Sequence, residues 1–594
     1  MSQKEPKSKK KTPKKVLSDL KKPLIGGSLI TTFAVAGIFM GIFLWSGELP
    51  EKKILITSYD GLWYNDTLFE YHYLWEGTNK GEASTYVINQ IAEGLFEYEI
   101  TDEYSRIIPN LALNGIWSSD GLNLTCPLRE GVTFHDGTSF NATAVKWAFD
   151  RLQNLLENMS YSYVWIDLDG KPILNRTEII DEYSIRFILN RPFSPFKALL
   201  CRLDAYILSP RVAPLNDFIR VDTDLIGTGP FKYNSSTYLY DPINLNYYTE
   251  NTTLVANSEY WGGTPKLKIP KLKIIIFKFY KQPQDHLKRY EDMVSGKIDY
   301  TYLWPWGPEN YTDYPKITLH YFDTYYINFI LIKNNLINAT MRKAISYAIN
   351  YTKILAFEGT QWEGDVVRCR SPLSKGMLSS DWEDFDVPYY NLTFARQILK
   401  NANWNGTAGA LIVNDDITVG NEWESLITHG TPLAVYNYTY IVNSKMEFYK
   451  DLLVQNLKQL GIKIHLIPAI GGLEGDYKDK HIWSHFLYSP SWYPDYNDPS
   501  SNINPLFSNK ADGFYNWGNV NDTLVQQWME EGLVETNETA RGQLYYDIQK
   551  RLIEEVYPVI WTYTVTFCNV HGPNLVEINY NLAPYKLLFK DAHF

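Results

Sequence analysis

The longest run of apolar residues lies near the amino terminus, from Leu24 to Trp45. At about 1.5 Å per residue, a helix of that length spans roughly 33 Å, which is enough to cross a bilayer once. Nine lysines but only two acidic residues precede it, and the positive-inside rule keeps such a cluster on the cytoplasmic side. The pattern predicts a lysine-rich cytoplasmic head over residues 1–23, a transmembrane anchor over residues 24–45 and a large domain outside the cell membrane.

A cleavable signal peptide is the alternative, because it also joins positive charge to an apolar stretch. The apolar core of a signal peptide is only about 7 to 15 residues long and ends at a small-residue cleavage site. Here the bulky residues 43–45 precede Ser46, which matches such a site poorly. The run therefore favours a retained signal anchor, and cleavage stays open.

After the anchor, the apolar pattern changes between the periods of strands and helices. Residues 54–59 are rich in β-formers, and residues 87–96 have helical spacing. A polar turn at residues 135–138 precedes Asn141, a good N-cap, and an amphipathic stripe follows it. Residues 341–349 carry a second such stripe. We predict one strand and three helices over these ranges.

The clearest unit is a strand, a helix and a second strand. Ser444 and Glu447 have the spacing of a capping box, and Gly461 stands where the apolar stripe stops. Residues 462–466 alternate as a strand, and residues 433–440 are β-prone. This order predicts a parallel, covered sheet.

The charge is distributed unevenly along the chain. The net charge is −11, and residues 1–22 carry nine lysines and two acids, a net +7, so the other 572 residues carry −18. A basic nucleic-acid footprint is therefore absent from the outer part. Its length and its 15% aromatic content indicate several globular domains with large cores.

Fifteen Asn-X-Ser/Thr acceptors occur, where random placement of this composition would give about five or six. Such an excess is typical of a glycoprotein with an extracellular domain. The possible glycosylation sites that we single out are Asn65, Asn158, Asn175, Asn251 and Asn405. The alternative is that Asn and Thr are frequent at helix caps, as at Asn141.

Signals for catalysis or metal binding are missing from the sequence. The four cysteines are widely scattered, so they lack metal-site spacing, and either disulfides or buried thiols stay open. Neither a His-Glu-X-X-His nor a Gly-X-Ser-X-Gly motif occurs. Residues 227–230 lack the lysine of a phosphate loop, and their glycines are predicted to supply a tight turn. We predict no catalytic residue, no metal and no cofactor.

Several motifs, taken in chain order, resemble the oligopeptide- and dipeptide-binding proteins of ABC importers, which are large extracytoplasmic solute-binding proteins. Residues 128–138 resemble the signature "LRxGVxFHDGT", and residues 227–231 resemble "GTGPY". Residues 257–263 are similar to "NPDYWGG", residues 295–299 to "SGEID", and residues 342–354 to the helix "RxAlxyAidrxxi". One such match would be weak, but the ordered set is specific.

The resemblance implies an α/β fold, a two-lobed clamp of three subdomains like that of periplasmic binding proteins. Lobe one would be discontinuous and would comprise residues 52–105, 226–322 and 556–594. The inserted smaller subdomain would cover residues 106–225, and lobe two residues 323–555. The ligand would be engulfed between the lobes and delivered to an ABC permease.

One further motif bears on the ligand. Residues 491–499 resemble the peptide binders' "W-x-x-D-[YN]-x-[DE]-P", which implies that Asp495 meets the α-ammonium of a peptide and that Trp492 is a cleft wall. A buried carboxylate is costly unless a cation meets it, so the ligand should carry an amine. The alternative is that Asp495 only caps a turn beside Pro494.

The sequence differs from the dipeptide-binding members of this family at one position, which weakens the resemblance to them. Dipeptide binders place an arginine before the helix that here begins near Ser444, whereas this chain has Tyr440 there; Arg368 and Arg370 are possible substitutes. We therefore expect a membrane-anchored receptor that captures oligopeptides for an ABC importer and is not an enzyme. The alternatives are an oligosaccharide binder of the same fold and a surface hydrolase or adhesion protein.

Overall fold

The computed structural model describes residues 54–60, 81–100, 105–156, 162–167, 169–211, 225–241, 246–262, 270–280, 285–303, 318–323, 327–361, 366–373, 377–379, 385–402, 434–441, 444–469, 486–487, 491–492, 494–511, 516–576, 579–581, 586–589 and 591–594. The predicted head and anchor, residues 1–45, lie outside these ranges. Within them, no helix combines the length and the apolar character needed to cross a bilayer.

The described residues form strands β1 (Ile54–Asp60), β2 (Phe96–Ile100), β3 (Ser105–Pro109), β4 (Ile116–Trp117), β5 (Asn123–Pro127), β6 (Leu174–Asp181), β7 (Ser184–Leu189), β8 (Phe231–Asp241), β9 (Asn246–Ala256), β10 (Ile274–Tyr280), β11 (Tyr300–Leu303), β12 (Thr318–Asp323), β13 (Ile327–Ile332), β14 (Val366–Arg368), β15 (Ala434–Ile441), β16 (Ile462–Ala469), β17 (Phe486–Leu487), β18 (Ser491–Trp492), β19 (Val559–Trp561), β20 (Tyr563–His571), β21 (Asn579–Asn581) and β22 (Lys586–Leu588).

They also form helices α1 (Gly81–Ile91), α2 (Ala142–Leu155), α3 (Phe196–Leu199), α4 (His286–Val294), α5 (Ala339–Ala348), α6 (Tyr351–Glu358), α7 (Leu392–Asn401), α8 (Ser444–Lys458), α9 (Pro499–Phe507), α10 (Thr523–Val534) and α11 (Glu538–Arg551). A π-helix, Leu552–Val556, continues α11.

The largest sheet has eight strands of mixed direction. Its order is β12-β20-β11-β1-β10-β9-β8, and β14 pairs with β20. Strand β1 runs parallel to both neighbours, with Ile54 opposite Ile274 of β10. Helix α1 packs on this sheet, since Val87, Ile88 and Ile91 share a buried cluster with strand residues.

The second sheet has six strands in the order β16-β15-β17-β13-β18, with β19 paired to β13. All six residues of β13 are buried, as expected for a strand covered on both faces. Strands β15 and β16 are parallel, with Ala434 opposite Ile462, and α8 connects them. The predicted strand, helix and strand are confirmed, although α8 begins at Ser444 itself rather than after it.

The third sheet is antiparallel, in the order β4-β5-β7-β6. Strand β7 alternates between half-buried and buried residues, which is the pattern of a strand with one face in the core. Helix α2 packs on that face. The ring of Phe149 lies 4.8 Å from that of Phe187 and 6.2 Å from that of Trp165, both edge-on.

The helix predicted over residues 87–96 ends earlier, at Ile91. Beyond it, Leu95 and Phe96 join the core of the third sheet instead of that of the first. Glu93 forms a β-bridge with Ile207, and a Cβ on Gly94 would lie 2.9 Å from the carbonyl oxygen of Leu200. Apolar residues thus keep a helical spacing beyond residue 91, although they pack into a different hydrophobic core there. The prediction of a helix after residue 91 was wrong for this reason.

Asparagines of five Asn-X-Thr acceptors are helix N-caps. In each, the side-chain oxygen accepts a backbone N–H of the first turn. They are Asn141, Asn338, Asn350, Asn391 and Asn537. Capping, which stabilises a helix by about 1 kcal/mol, accounts for asparagine at these positions without any glycan.

Three of the four cysteines, Cys126, Cys201 and Cys369, are buried free thiols. Burial raises the pKa of Cys126 to about 12, only partly offset by Lys197, and raises that of Cys369 to about 11. Thiols that stay protonated are unreactive. For these three residues, the structure bears out the alternative of buried thiols.

The turn over residues 227–230 needs its glycines because it lies against the end of α1. A Cβ would be 2.2 Å from the carbonyl oxygen of Ile91 on Gly227 and 2.6 Å from it on Gly229. The amide of Gly229 donates to that carbonyl at 2.8 Å. The predicted tight turn is confirmed, and close backbone approach is its physical reason.

Glu93 connects this turn to a second motif of the chain. Its buried carboxylate accepts hydrogen bonds of 2.8 Å each from Thr228 Oγ1, Tyr260 Oη and Trp261 Nε1. Burial raises the pKa of Glu93, and the three donors only partly oppose this shift. Glu93 therefore fixes both the turn at residues 227–230 and the motif at residues 257–263 near the end of α1.

Replacing Gly227 by Ala should reduce the free energy of unfolding by about 1–3 kcal/mol, because the new methyl group meets backbone rather than a side chain that can turn away. Urea denaturation followed by tryptophan fluorescence measures it. The matched control is Gly572→Ala, where nothing lies within 4 Å of an added Cβ, and it should stay within about 0.5 kcal/mol of the unmodified chain. Equal losses in the two variants would contradict the packing argument.

Candidate ligand-binding site

A cavity of about 370 Å³ lies between two parts of the chain that are distant in sequence. One wall comes from residues 163–193, which follow α2, and the other from residues 495–533, which include α9. Asp495, predicted from the motif at residues 491–499, lines this cavity. The structure therefore places that carboxylate where a ligand could reach it.

The segment that carries Asp495 is fixed at both ends. Strand β18 pairs with β13, with Trp492 opposite Ile327. Downstream, Asp498 is the N-cap of α9, where it accepts from the amide of Ser500 at 2.9 Å, and Pro499 takes the first helical position. These two attachments restrict where Asp495 can point.

Asp498 is held by Arg541 of α11. Two guanidinium nitrogens of Arg541 lie 2.7 Å from the two carboxylate oxygens, a bidentate pair, and both residues are buried. Burial alone would raise the pKa of Asp498, but the charge and hydrogen bonds of Arg541 outweigh it and lower that pKa. The second acid of the motif is therefore a structural anchor.

Ser501 organises the same turn. Its Oγ accepts from the amide of Asp495 at 2.8 Å, and its carbonyl accepts from Trp492 Nε1 at 3.1 Å. The indole of Trp492 packs beside the core that contains Ile503 and Trp561, and it is not part of this cavity wall. The structure places Trp492 behind the turn, and its role as a cleft wall stays a prediction.

The Asp495 carboxylate meets two groups from the opposite wall. Tyr163 Oη donates to it at 2.8 Å. The guanidinium of Arg202 donates to the backbone oxygen of Asp495 and lies close enough to attract its charge. Burial raises the pKa of Asp495, and Arg202 and Tyr163 only partly offset this effect.

Arg202 is shared with a second acid. Its Nε lies 3.1 Å from one carboxylate oxygen of Asp204 and 3.3 Å from the other. Asp204 also accepts from Trp165 Nε1 at 3.0 Å. Arg202 therefore lies near two carboxylates, those of Asp204 and Asp495, and can balance only one of them when both are ionised. A cationic group would compensate the other.

Other contacts join the same two parts of the chain near the cavity. The amide of Ser194 donates to the carbonyl of Leu533 at 2.7 Å, and its hydroxyl donates to the carbonyl of Glu535 at 2.5 Å. The amide of Asn497 donates to Tyr98 Oη at 3.2 Å. The two walls therefore touch each other directly.

Sequence reasoning missed Tyr163, Arg202, Asp204 and Arg541. Tyr163 lies 332 residues from Asp495, and Arg202 lies 293 residues from it. None of these residues belongs to a motif of its own. Only the three-dimensional fold brings them together.

The proposed substitutes for a carboxylate-binding arginine are not equivalent. The Arg368 guanidinium lies 3.5 Å above the ring of Tyr351 and donates to the carbonyls of Thr562 at 3.2 Å and Pro388 at 3.3 Å. It is thus used within the fold. Neither Arg368 nor Arg370 lines the cavity at Asp495.

Two of the predicted glycosylation sites are described by the structure. Asn175 is exposed in β6, and its Nδ2 donates to Asn190 Oδ1 at 2.6 Å. Asn251 is half-buried in β9, with its Nδ2 3.1 Å from Thr237 Oγ1. Asn65, Asn158 and Asn405 lie outside the described residues.

Among the described residues, no group of three or more His, Cys, Asp or Glu side chains is arranged to hold a metal ion.

The sequence matches a known protein family over most of its length. The profile described as "Bacterial extracellular solute-binding proteins, family 5 Middle" matches residues 106–514. A curated relative is the glutathione-binding protein GsiB of Pectobacterium atrosepticum. It is 24% identical over 526 residues, which cover 85% of this chain and 89% of the relative.

Solved structures agree on the fold. HbpA2 from Haemophilus parasuis superposes with a TM-score of 0.70 at 17% identity and covers 90% of this chain and 98% of its own. The periplasmic binding protein DppA from Helicobacter pylori, solved with the peptide STSA, has a TM-score of 0.60 at 19% identity and covers 91% and 98%. The fold is thus the α/β clamp of periplasmic binding proteins.

The resemblance drawn from the sequence motifs is therefore confirmed. The chain belongs to family 5 of the bacterial extracellular solute-binding proteins, the oligopeptide- and dipeptide-binding proteins of ABC importers, which bind solutes and are not enzymes.

Proposed function

We propose that this chain is a membrane-tethered receptor outside the cell that captures peptides by their amino end and delivers them to an ABC permease. The position of Asp495 carries the proposal: the residue lines the cavity, and the nearby Arg202 is shared with Asp204, so the α-ammonium group of a free peptide can pair with the Asp495 carboxylate. Trp492 would form a nearby wall of the same cleft. The peptide STSA in the DppA structure supports peptides as the ligand class.

The proposal includes closure of two lobes around the peptide. Lobe one would comprise residues 52–105, 226–322 and 556–594, the inserted subdomain residues 106–225, and lobe two residues 323–555. The direct contacts of Ser194 and Tyr98 with residues 497–535 fit a closed state. A ligand stabilises such a state only through contacts that the open state lacks.

An oligosaccharide is the less favoured ligand. A neutral sugar would leave the charge at Asp495 uncompensated, whereas a peptide amine compensates it. Sugars therefore serve as negative controls below.

Asp495→Asn should weaken peptide binding more than tenfold, about 1.4 kcal/mol, because the amide keeps the shape but loses the charge. Isothermal titration of the full-length chain in detergent with Ser-Thr-Ser-Ala measures it, beside the N-acetylated peptide and a neutral trisaccharide. Asp451→Asn is the matched control, since that carboxylate is 65% exposed on α8. Equal affinity of Asp495→Asn and the control would remove the assignment.

Without peptide, Asp495→Asn should not weaken the protein: it lowers peptide affinity but is expected to preserve or increase thermal stability. Because the pKa of Asp495 is raised in the fold, stability falls as the pH rises from the ordinary carboxyl pKa to the raised one, stays reduced above that range and is recovered when the pH is lowered through it. At pH 7, Asp495→Asn should leave the melting temperature of the empty protein unchanged or higher. Affinity for the free peptide should fall as the pH is lowered through the raised pKa, but not in the variant. A lower melting temperature with intact affinity would show a turn cap only.

The membrane anchor follows from the lysine-rich head and the apolar run over residues 24–45. We expect the full-length chain to stay in the membrane fraction after carbonate extraction, with an intact mass that includes residue 1 or 2. Replacing residues 24–45 by a polar linker of equal length should release it. A mature mass that begins after residue 45 would establish cleavage instead.

The glycoprotein proposal concerns Asn65, Asn158, Asn175, Asn251 and Asn405. Among the described sites, exposed Asn175 is the most accessible. Asn175→Gln should remove one glycan mass from protein made by its native host, as seen by intact mass spectrometry. Asn141→Gln, a half-buried residue at the N-cap of α2, is the control and should leave the glycan mass unchanged. Loss of a glycan from both variants, or from neither, would contradict this distinction.

A further inference from the structure

Arg202 lies behind the turn that carries Asp495, and its hydrogen bonds go to two different residues. Its Nε lies 3.1 Å from Oδ1 of Asp204, and its Nη2 lies 3.3 Å from Oδ2 of the same carboxylate. Its Nη1 donates to the backbone oxygen of Asp495. The guanidinium acts on the Asp495 carboxylate through its charge, whereas the Asp204 carboxylate also accepts its hydrogen bonds. Asp204 therefore fixes the direction in which the guanidinium points.

The carboxylate of Asp204 is itself held in place by a rigid aromatic core. It accepts a hydrogen bond of 3.0 Å from Trp165 Nε1. The Trp165 ring is buried and lies edge-on to the rings of Phe149 and Phe196, at 6.2 Å and 6.4 Å. The side chains of Asp204 and Arg202 are only 7% and 11% exposed. Little water reaches this pair, so its partners are set by the surrounding protein groups.

Asp204 and Asp495 share the positive charge of Arg202. Burial raises the pKa of Asp495, Arg202 and Tyr163 oppose this effect, and the charge of Asp204 adds to it. If Asp204 were neutral, Asp495 would be the acid that remains for Arg202. A guanidinium and a carboxylate form strong charge-assisted hydrogen bonds when they can meet directly. A carboxylate paired in this way attracts a second cation far less, because the first one repels it.

We infer that Asp204 is a positioning residue of the peptide site, which holds Arg202 so that the Asp495 carboxylate stays open to the ammonium group of the peptide. Without the charge of Asp204, Arg202 turns to the Asp495 carboxylate and competes with the ligand as an internal cation. Asp204 does not contact the peptide and acts only through Arg202. This inference rests on the proposed function and adds the pair of residues that keeps its acid available.

The first test removes the charge of Asp204. Asp204→Asn keeps the shape of the side chain and an acceptor for Trp165. Isothermal titration of the full-length chain in detergent with Ser-Thr-Ser-Ala at pH 7 should show at least tenfold weaker binding than that of the unmodified chain. Asp204→Glu, which keeps the charge, should retain more affinity than Asp204→Asn. Asp451→Asn, at a carboxylate that is 65% exposed on α8, is the charge-matched control and should bind within twofold of the unmodified chain.

A double variant separates positioning from a merely structural role. Arg202→Gln combined with Asp204→Asn removes both charges of the pair. Because the internal competitor is then missing, the affinity should return to within threefold of that of the unmodified chain, although two buried side chains have changed. A merely structural role of Asp204 predicts the reverse, since the second substitution would add to the damage of the first. Thermal unfolding without peptide checks that each variant is folded.

The pH dependence of peptide affinity gives a second readout. In the unmodified chain, affinity falls as the pH is lowered through the raised pKa of Asp495. Asp204→Asn removes a charge that raises this pKa and lets Arg202 lower it more strongly, so the fall in affinity should move to lower pH. The other charged residues of the cavity wall, which stay unchanged in every variant, are Asp167, Arg191 and Lys510.

The outcomes distinguish this inference from the proposed function. Weaker binding by Asp204→Asn together with recovery in the double variant supports the inference. Equal affinity of Asp204→Asn and the unmodified chain, or a double variant that binds no better than Asp204→Asn, overturns it and leaves the proposed function standing. If Asp204→Asn does not fold, the threefold limit on the double variant decides alone. If the unmodified chain binds neither Ser-Thr-Ser-Ala nor any other peptide with a free amine, the proposed function fails and the inference fails with it.

Discussion

The buried contact between Asp495 and Arg202 is the interaction on which the site depends. It joins segments that lie 293 residues apart, and it brings a third charge, Asp204, into the same low-dielectric environment. One guanidinium cannot neutralise two carboxylates, so ionisation of both Asp204 and Asp495 costs free energy, as the raised pKa of Asp495 reflects. A binding protein can use such a cost, because a cationic ligand recovers it when it enters.

The two acids of the motif at residues 491–499 have different roles, although they are only three residues apart. Asp498 is satisfied within the fold by a helix cap and by the bidentate pair with Arg541. The Asp495 carboxylate is only partly satisfied. It accepts one hydrogen bond from the hydroxyl of Tyr163 and is attracted by the charge of Arg202, which also pairs with Asp204. The pKa shifts have opposite directions for this reason: that of Asp498 is lowered and that of Asp495 is raised. Asp498 holds the backbone in place, and Asp495 is the acid to which the proposed function assigns the ligand.

Local signals in the sequence predicted the local structure well. The unit from β15 to β16 follows from a helix period between two strand periods, with a positive φ of 80° at Gly461 where the helix stops. The helix caps also depend only on neighbouring residues, whereas the glycine turn was predicted from its composition although its glycines are required by the distant backbone of Ile91. The helix predicted over residues 87–96 ends at Ile91 and begins earlier, at Gly81. Its end was misplaced because periodicity shows that residues are buried but not which core buries them. Arg202 and Tyr163 could not be predicted, since their relation to Asp495 arises from packing between distant segments. The family motif identified Asp495, but the charged groups around it could be identified only from the three-dimensional structure.

The electrostatics of the chain act in the same direction at long and at short range. Outside the lysine-rich head, the chain carries a net charge of −18, which attracts cations over distances up to the Debye length of about 8–10 Å at physiological ionic strength. Near Asp495 the attraction becomes specific, since burial strengthens each charge interaction. The contacts from Ser194 to Leu533 and Glu535 hold the two walls together in this structure. Under the proposed function, ligand binding and the joining of the walls would be coupled through a single free-energy term, the cost of burying Asp495 in its charged form.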